Sequence, residues 1–164
     1  MPSESSPTRP DPAHPNPAQP APSTRPERHT VLRSFAGHLD ADPASVFAAL
    51  RQRMQGAPGV AVDAVAREIA QQGGWWYRGE YRVMAEPADH DAAAGPAAGA
   101  AASGTRLEYE IVNVAQSWHW AGPIAGRKVL ADAPYGFHAL LSDIEAELDP
   151  GSDAEREAPE QPTD

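Results

Sequence analysis

Gly73-Gly74-Trp75-Trp76-Tyr77-Arg78-Gly79-Glu80-Tyr81-Arg82-Val83 packs four of the chain's eleven aromatic residues into one short stretch. From Tyr77 onward apolar and charged residues alternate, the period-two pattern of a strand buried on one face. One face then carries Trp75, Tyr77, Gly79, Tyr81 and Val83, and the other carries Trp76, Arg78, Glu80, Arg82 and Met84. Tyr and Trp join an apolar body to a polar tip, so the first face suits the wall of a ligand cavity as well as a core. Residues 105–114 alternate in the same way, with Leu107, Tyr109, Ile111 and Asn113 on one face and Arg106, Glu108, Glu110 and Val112 on the other. Residues 87–103 are low-complexity Ala/Gly and read as a long loop between these two strands, making a hairpin.

Working outward, residues 29–39 form a third alternating run and predict a first strand. Asp42 follows as a helix N-cap and Pro43 as a first helical residue, with Val46, Phe47 and Leu50 at helical spacing. Gly56 and Pro58 end that helix. Residues 60–72 fit two descriptions. Val62, Val65, Ala66 and Ile69 share a helix face, yet two short strands joined by a tight turn fit equally well, and periodicity does not choose between them. Beyond Trp118-His119-Trp120, residues 124–148 read as a long helix. Its stripe is Phe137, Leu141, Ile144 and Leu148, widened by Leu140. Pro134 either kinks this helix or starts it, with Asp132 as a cap. An amphipathic helix cannot bury its stripe alone, so it must lie across the sheet, and the fold class is α+β.

Composition sets the frame. Residues 1–28 hold nine of the eighteen prolines and no aromatic residue, and residues 149–164 are acidic and polar. Neither stretch can bury enough apolar area to offset its ordering entropy, so both are expected to be disordered tails around one domain, residues 29–148. The formal net charge is −10. No basic patch stands out in that balance, which argues against nucleic acid as a partner. There is no cysteine, which removes disulfides, thiol nucleophiles and thiolate metal sites. No apolar run is long enough to span a bilayer and no apolar signal core opens the chain, so a cytoplasmic location is expected.

Three stretches resemble the START-like superfamily of helix-grip proteins (SRPBCC), which includes polyketide cyclases/dehydrases and lipid-transport domains. They are the opening strand running into Ala41-Asp42-Pro43-Ala44-Ser45-Val46-Phe47-Ala48-Ala49-Leu50, the aromatic hairpin, and the long C-terminal helix. The hairpin is similar to that of small actinobacterial-type members. The resemblance implies a curved antiparallel sheet gripping the C-terminal helix over an apolar cavity, and it favours strands for residues 60–72. The chain departs from the pattern in being short. The usual second helix is minimal around residues 54–59 and fewer strands can be counted, which implies a smaller cavity or one filled by side chains.

The expected cavity wall is Trp75, Tyr77, Tyr81, Leu107, Tyr109, Ile111, Asn113, Phe137 and Leu141. Asn113 and the phenols are its polar anchors, and the bland alternative is a packed core. An amide on an apolar face needs a partner, or its burial costs about 1–3 kcal/mol. Arg78, Glu80, Arg82, Glu108 and Glu110 read as a solvent-side salt-bridge ladder. His119 is a weak candidate for a general base at the cavity mouth, and more plainly a loop residue between two anchoring tryptophans. His138 reads as a helix-boundary residue. Asp89-His90-Asp91 has metal-ligand types without the further fixed ligands a metal needs, so no metal and no cofactor is expected. No nucleophile elbow or phosphate loop is present. The expected function is binding of a small hydrophobic molecule (lipid, polyketide or isoprenoid-like). The alternatives are a cyclase/aromatase-like enzyme and a non-catalytic interaction protein with a filled core.

Overall fold

The computed structural model describes residues 21–87 and 102–149. The fold is α+β. Five antiparallel strands run β1 (Thr30–Leu39), β2 (Val60–Asp63), β3 (Glu68–Gly73), β4 (Tyr77–Pro87) and β5 (Ala102–Asn113), with sheet order β1-β5-β4-β3-β2. Helix α1 (Pro43–Met54) links β1 to β2. A 3-10 turn (His119–Ala121), a short α2 (Gly122–Ala125) and the long α3 (Arg127–Leu148) complete the chain. The long helix held against a curved antiparallel sheet is a helix-grip arrangement.

Each element follows from its residues. The Asp42 carboxylate accepts from the amides of Ala44 and Ser45, and Pro43 supplies a first-turn residue with no amide to satisfy. Beyond the C-cap Gln55, Gly56 takes the left-handed conformation, φ 80°. Residues 60–72 are two strands. Asp63 accepts from the amides of Val65 and Ala66 to close the turn, and Arg67 takes φ 52°. The helical reading of that segment fails at Val65, which is 97% exposed.

The first strand, first helix and hairpin fall where the sequence puts them, within a few residues. The C-terminal helix does not begin at Pro134. It starts at Arg127, keeps Pro134 inside, and leaves Asp132 to pair with Lys128 at 2.5 Å rather than to cap. Pro134 gives up one helical hydrogen bond, which the burial of Phe137 and Ile144 further along outweighs.

The core lies between one face of the sheet and the two longer helices. Leu39, Val46, Leu50, Ile69, Leu107, Ile111 and Ile144 are at most 1% exposed. On β1, Gly37 makes room for α3: a β-carbon there would sit 2.3 Å from Leu141 Cδ1. Part of the other face, around Arg78, is covered as well. Residues 1–28 were expected to lie outside the domain, but residues 21–28 run over the sheet as a strap. Ala21 is buried, the Pro22 carbonyl accepts from Arg78, and Arg25 reaches Glu80 and Glu110. The remaining tail expectations fall on residues 1–20 and 150–164, and the loop and Asp89-His90-Asp91 on residues 88–101. All of these lie outside the described residues.

Candidate functional site

The strand register fixes which side chains meet. Tyr81 stands opposite Tyr109, Val83 opposite Leu107, Gly79 opposite Ile111, and Tyr77 opposite Asn113. All of these point to the face that α1 and α3 cover. Tyr81 and Tyr109 stack with centroids 4.4 Å apart and planes 12° apart. On its other side Tyr109 meets Phe35 at 5.9 Å and Phe137 at 6.0 Å. The Tyr77 and Tyr109 hydroxyls share a 2.9 Å hydrogen bond. Tyr77 leans over Gly79 so closely that a β-carbon there would lie 2.5 Å from its hydroxyl oxygen. The sheet therefore presents a cluster of three phenols, with Tyr77 and Tyr81 half-buried and Tyr109 buried.

Burial raises the pKa of all three phenols, and their mutual proximity pushes Tyr81 and Tyr109 up further. They are neutral hydroxyls at any physiological pH. They can donate to and accept from a ligand, but they do not act as bases.

The expected wall residues separate into three groups. Tyr77, Tyr81, Leu107, Tyr109, Ile111, Phe137 and Leu141 lie in or against the core packed between sheet and helices. Trp75 does not: it is 38% exposed, while Trp76, assigned to the outer face, is buried. The alternation starts only at Tyr77, because Gly74 has φ 61° and residues 74–76 form the turn between β3 and β4. From that turn Trp76 tucks under α3, where a β-carbon on Gly126 would lie 2.1 Å from its ring. Asn113 is in place and 1% exposed, and both polar ends of its amide are engaged by the chain. It donates to the His119 carbonyl at 2.7 Å and accepts from the Ala115 amide at 3.1 Å. It fastens the loop after β5, and each of its two polar atoms already has a backbone partner.

His119 is also held by the chain. Nδ1 lies 2.8 Å from the Ala115 carbonyl and Nε2 lies 2.9 Å from the Thr30 hydroxyl. A carbonyl only accepts, so Nδ1 donates, and in the neutral ring Nε2 accepts from Thr30. With both nitrogens engaged, His119 ties β1 to the loop. His138 is exposed on α3. Among the described residues no group of three or more His, Cys, Asp or Glu is placed to hold a metal ion, and no helix is long and apolar enough to cross a membrane.

Two further features escaped the sequence reading. Phe35 joins the aromatic cluster, a role that required knowing that β1 pairs with β5. Arg78, expected in a solvated ladder, is 2% exposed under the strap. Beside it Arg82 pairs across the strands with Glu108 at 3.9 Å and with Glu68 at 2.7 Å, while Arg106 pairs with Glu108 along β5 at 2.9 Å. A recess of about 450 Å³ opens on this outer face between the strap and β2–β3. A wider one, about 650 Å³, lies between the end of α1 and β2.

A scan of the chain against protein-family models finds no match, and a search of curated proteins finds none either.

Proposed function

We propose that the chain is a non-catalytic binding module that holds a small, mainly apolar molecule against the tyrosine cluster, in the manner of a START-like relative. A lipid, polyketide or isoprenoid-like compound with one carbonyl or hydroxyl end fits this chemistry. The carrying observation is the placement of the half-buried Tyr77 and Tyr81 beside Tyr109 on the face gripped by α3. Such a surface combines large aromatic area with a few convergent polar tips, the usual make-up of a small-molecule site. A cyclase-like reaction would need a proton acceptor, and the raised phenol pKa values and the engaged ring of His119 count against these residues in that role.

The second reading, an interaction protein with a filled core, is favoured by the direct ring contacts around Tyr109 and by Trp118 and Trp120. These stack with centroids 6.5 Å apart and are 72% and 70% exposed. Native mass spectrometry of the gently purified full chain separates the two readings. A reproducible extra mass, lost on denaturation and absent from Tyr77→Phe/Tyr81→Phe, is the expected result. A bare mass, together with no thermal shift from a panel of fatty acids, isoprenoids and polyketides, would sink the ligand reading and leave the filled core.

A further inference from the structure

The outer face of the sheet carries a site that the tyrosine cluster does not explain. Glu80 on β4 and Glu110 on β5 are directly opposed in the strand register. Two carboxylates so placed repel each other unless a cation lies between them. Here the cation is Arg25. Its Nε donates to Glu80 at 2.7 Å and its Nη2 to Glu110. Glu80 is itself divided: one oxygen accepts from the buried Arg78 at 2.5 Å, and the other accepts from Arg25. Arg78 then donates to the Pro22 carbonyl at 2.7 Å. A resident arginine thus orients one carboxylate and grips a backbone carbonyl, while the second arginine arrives on a segment with no secondary structure of its own. That is the geometry of an extended peptide bound to a sheet face, with a side chain forked across two carboxylates.

The sequence holds the same ligand twice. Thr24-Arg25-Pro26-Glu27 lies in the strap, and Thr8-Arg9-Pro10-Asp11 repeats its pattern with Asp for Glu. The charge of the groove also favours an arginine side chain. Its lining, apart from the strap, has five carboxylates and two arginines.

We propose that the Glu80–Glu110 clamp with Arg78 is a docking site for a Thr-Arg-Pro-acid segment. Arg25 fills it within the chain, and Arg9 of a second copy is its exchange partner. The tethered strap competes from an effective concentration on the order of millimolar, so the intact chain keeps its clamp closed and exchange requires release of residues 21–28.

The test uses the full chain carrying Arg9→Ala and Arg25→Ala together, which removes both internal ligands. A fluorescein-labelled peptide of residues 5–14 is titrated against it by anisotropy. It should bind at least tenfold more tightly than to the unaltered chain, and Glu80→Gln/Glu110→Gln added to the double variant should weaken it at least tenfold. The same peptide with Arg9→Ala should not bind. In light scattering Arg25→Ala alone should self-associate with concentration, and Arg9→Ala/Arg25→Ala should not. Equal binding of the two peptides, or no binding to a double variant that melts cooperatively, overturns the proposal. If the double variant does not fold, Arg9→Ala/Arg25→Lys is titrated instead. Its ammonium keeps the charge but lacks the planar two-nitrogen fork that guanidinium offers the paired carboxylates, and the same outcomes decide.

Discussion

Strands β4 and β5 present two faces built from alternate positions of the same two strands, and the two are covered in opposite ways. The inner face buries Tyr109, Leu107 and Ile111 against α1 and α3, elements the chain holds in place with regular backbone hydrogen bonds. The outer face carries Arg78, Glu80, Arg82, Glu108 and Glu110, and over Arg78, Glu80 and Glu110 its cover is an irregular strap held by polar contacts. Contact with apolar rings is cumulative and tolerant of small shifts. A buried guanidinium depends on a few bonds of fixed geometry, and losing one partner strands the other. The difference teaches that the polar pattern of a strand face does not make it the solvent face. It tells which kind of cover the face will accept.

Four measurements break or sharpen that contrast. Phe137→Ala removes a ring packed on Phe35 and Tyr109 and should cost about 3–5 kcal/mol in urea unfolding; a loss below 1 would mean the inner cover is loose. Arg78→Met keeps the stem but leaves the Pro22 carbonyl and one Glu80 oxygen unpaired. It should cost about 2–3 kcal/mol and raise amide exchange in residues 21–28. An unchanged melting temperature would show the strap to be incidental.

Glu80 gives a pH signature. Burial pushes its pKa up, but Arg25 and Arg78 more than offset this and hold it below its ordinary value of 4.5. Its contribution is therefore present above that value and lost as pH falls through the lower folded-state pKa. Glu80→Gln should destabilise by about 1–2 kcal/mol at pH 7, with the gap from the unaltered chain narrowing as pH falls below 4.5. A gap that does not narrow on acidification would mean that packing, and not charge, holds this position. Smallest of all, Tyr77→Phe deletes one phenol bond and should cost about 1 kcal/mol or less in thermal unfolding. A stabilised variant would show that the Tyr109 hydroxyl finds a better partner without it.

Much of the architecture was legible in the sequence. Alternation gave β4, β5 and β1, the Asp42-Pro43 cap gave the start of α1, and the Phe137–Ile144 stripe gave the buried face of α3. These are local periodicities, and local physics sets them. The turn hid the start of β4: residues 74–76 satisfy the alternating pattern by chance, so Trp75 and Trp76 exchange places. Asn113 was correctly singled out as an amide that needs a partner, but the partner is the backbone six residues on, inside a loop without a pattern. The strap was least legible. Arg25 and Glu80 are 55 positions apart, and a proline-rich composition that cannot form a core can still lie on one that others have made.

The pairing of β1 with β5 bears on the order of assembly. The first strand's sheet partner lies at residues 105–113, with Thr30 opposite Asn113 and Leu39 opposite Thr105. As the chain leaves the ribosome, β1 and α1 come out early but wait for most of the sheet to be synthesised. The β2–β3–β4 meander, whose strands are close in sequence, has its partners at hand much sooner. The notch at Gly37 that receives Leu141 cannot form its seat until β1 has been captured. Closing the sheet thus joins its first strand to its fifth, and a product truncated before β5 would leave β1 unpaired and open to other chains.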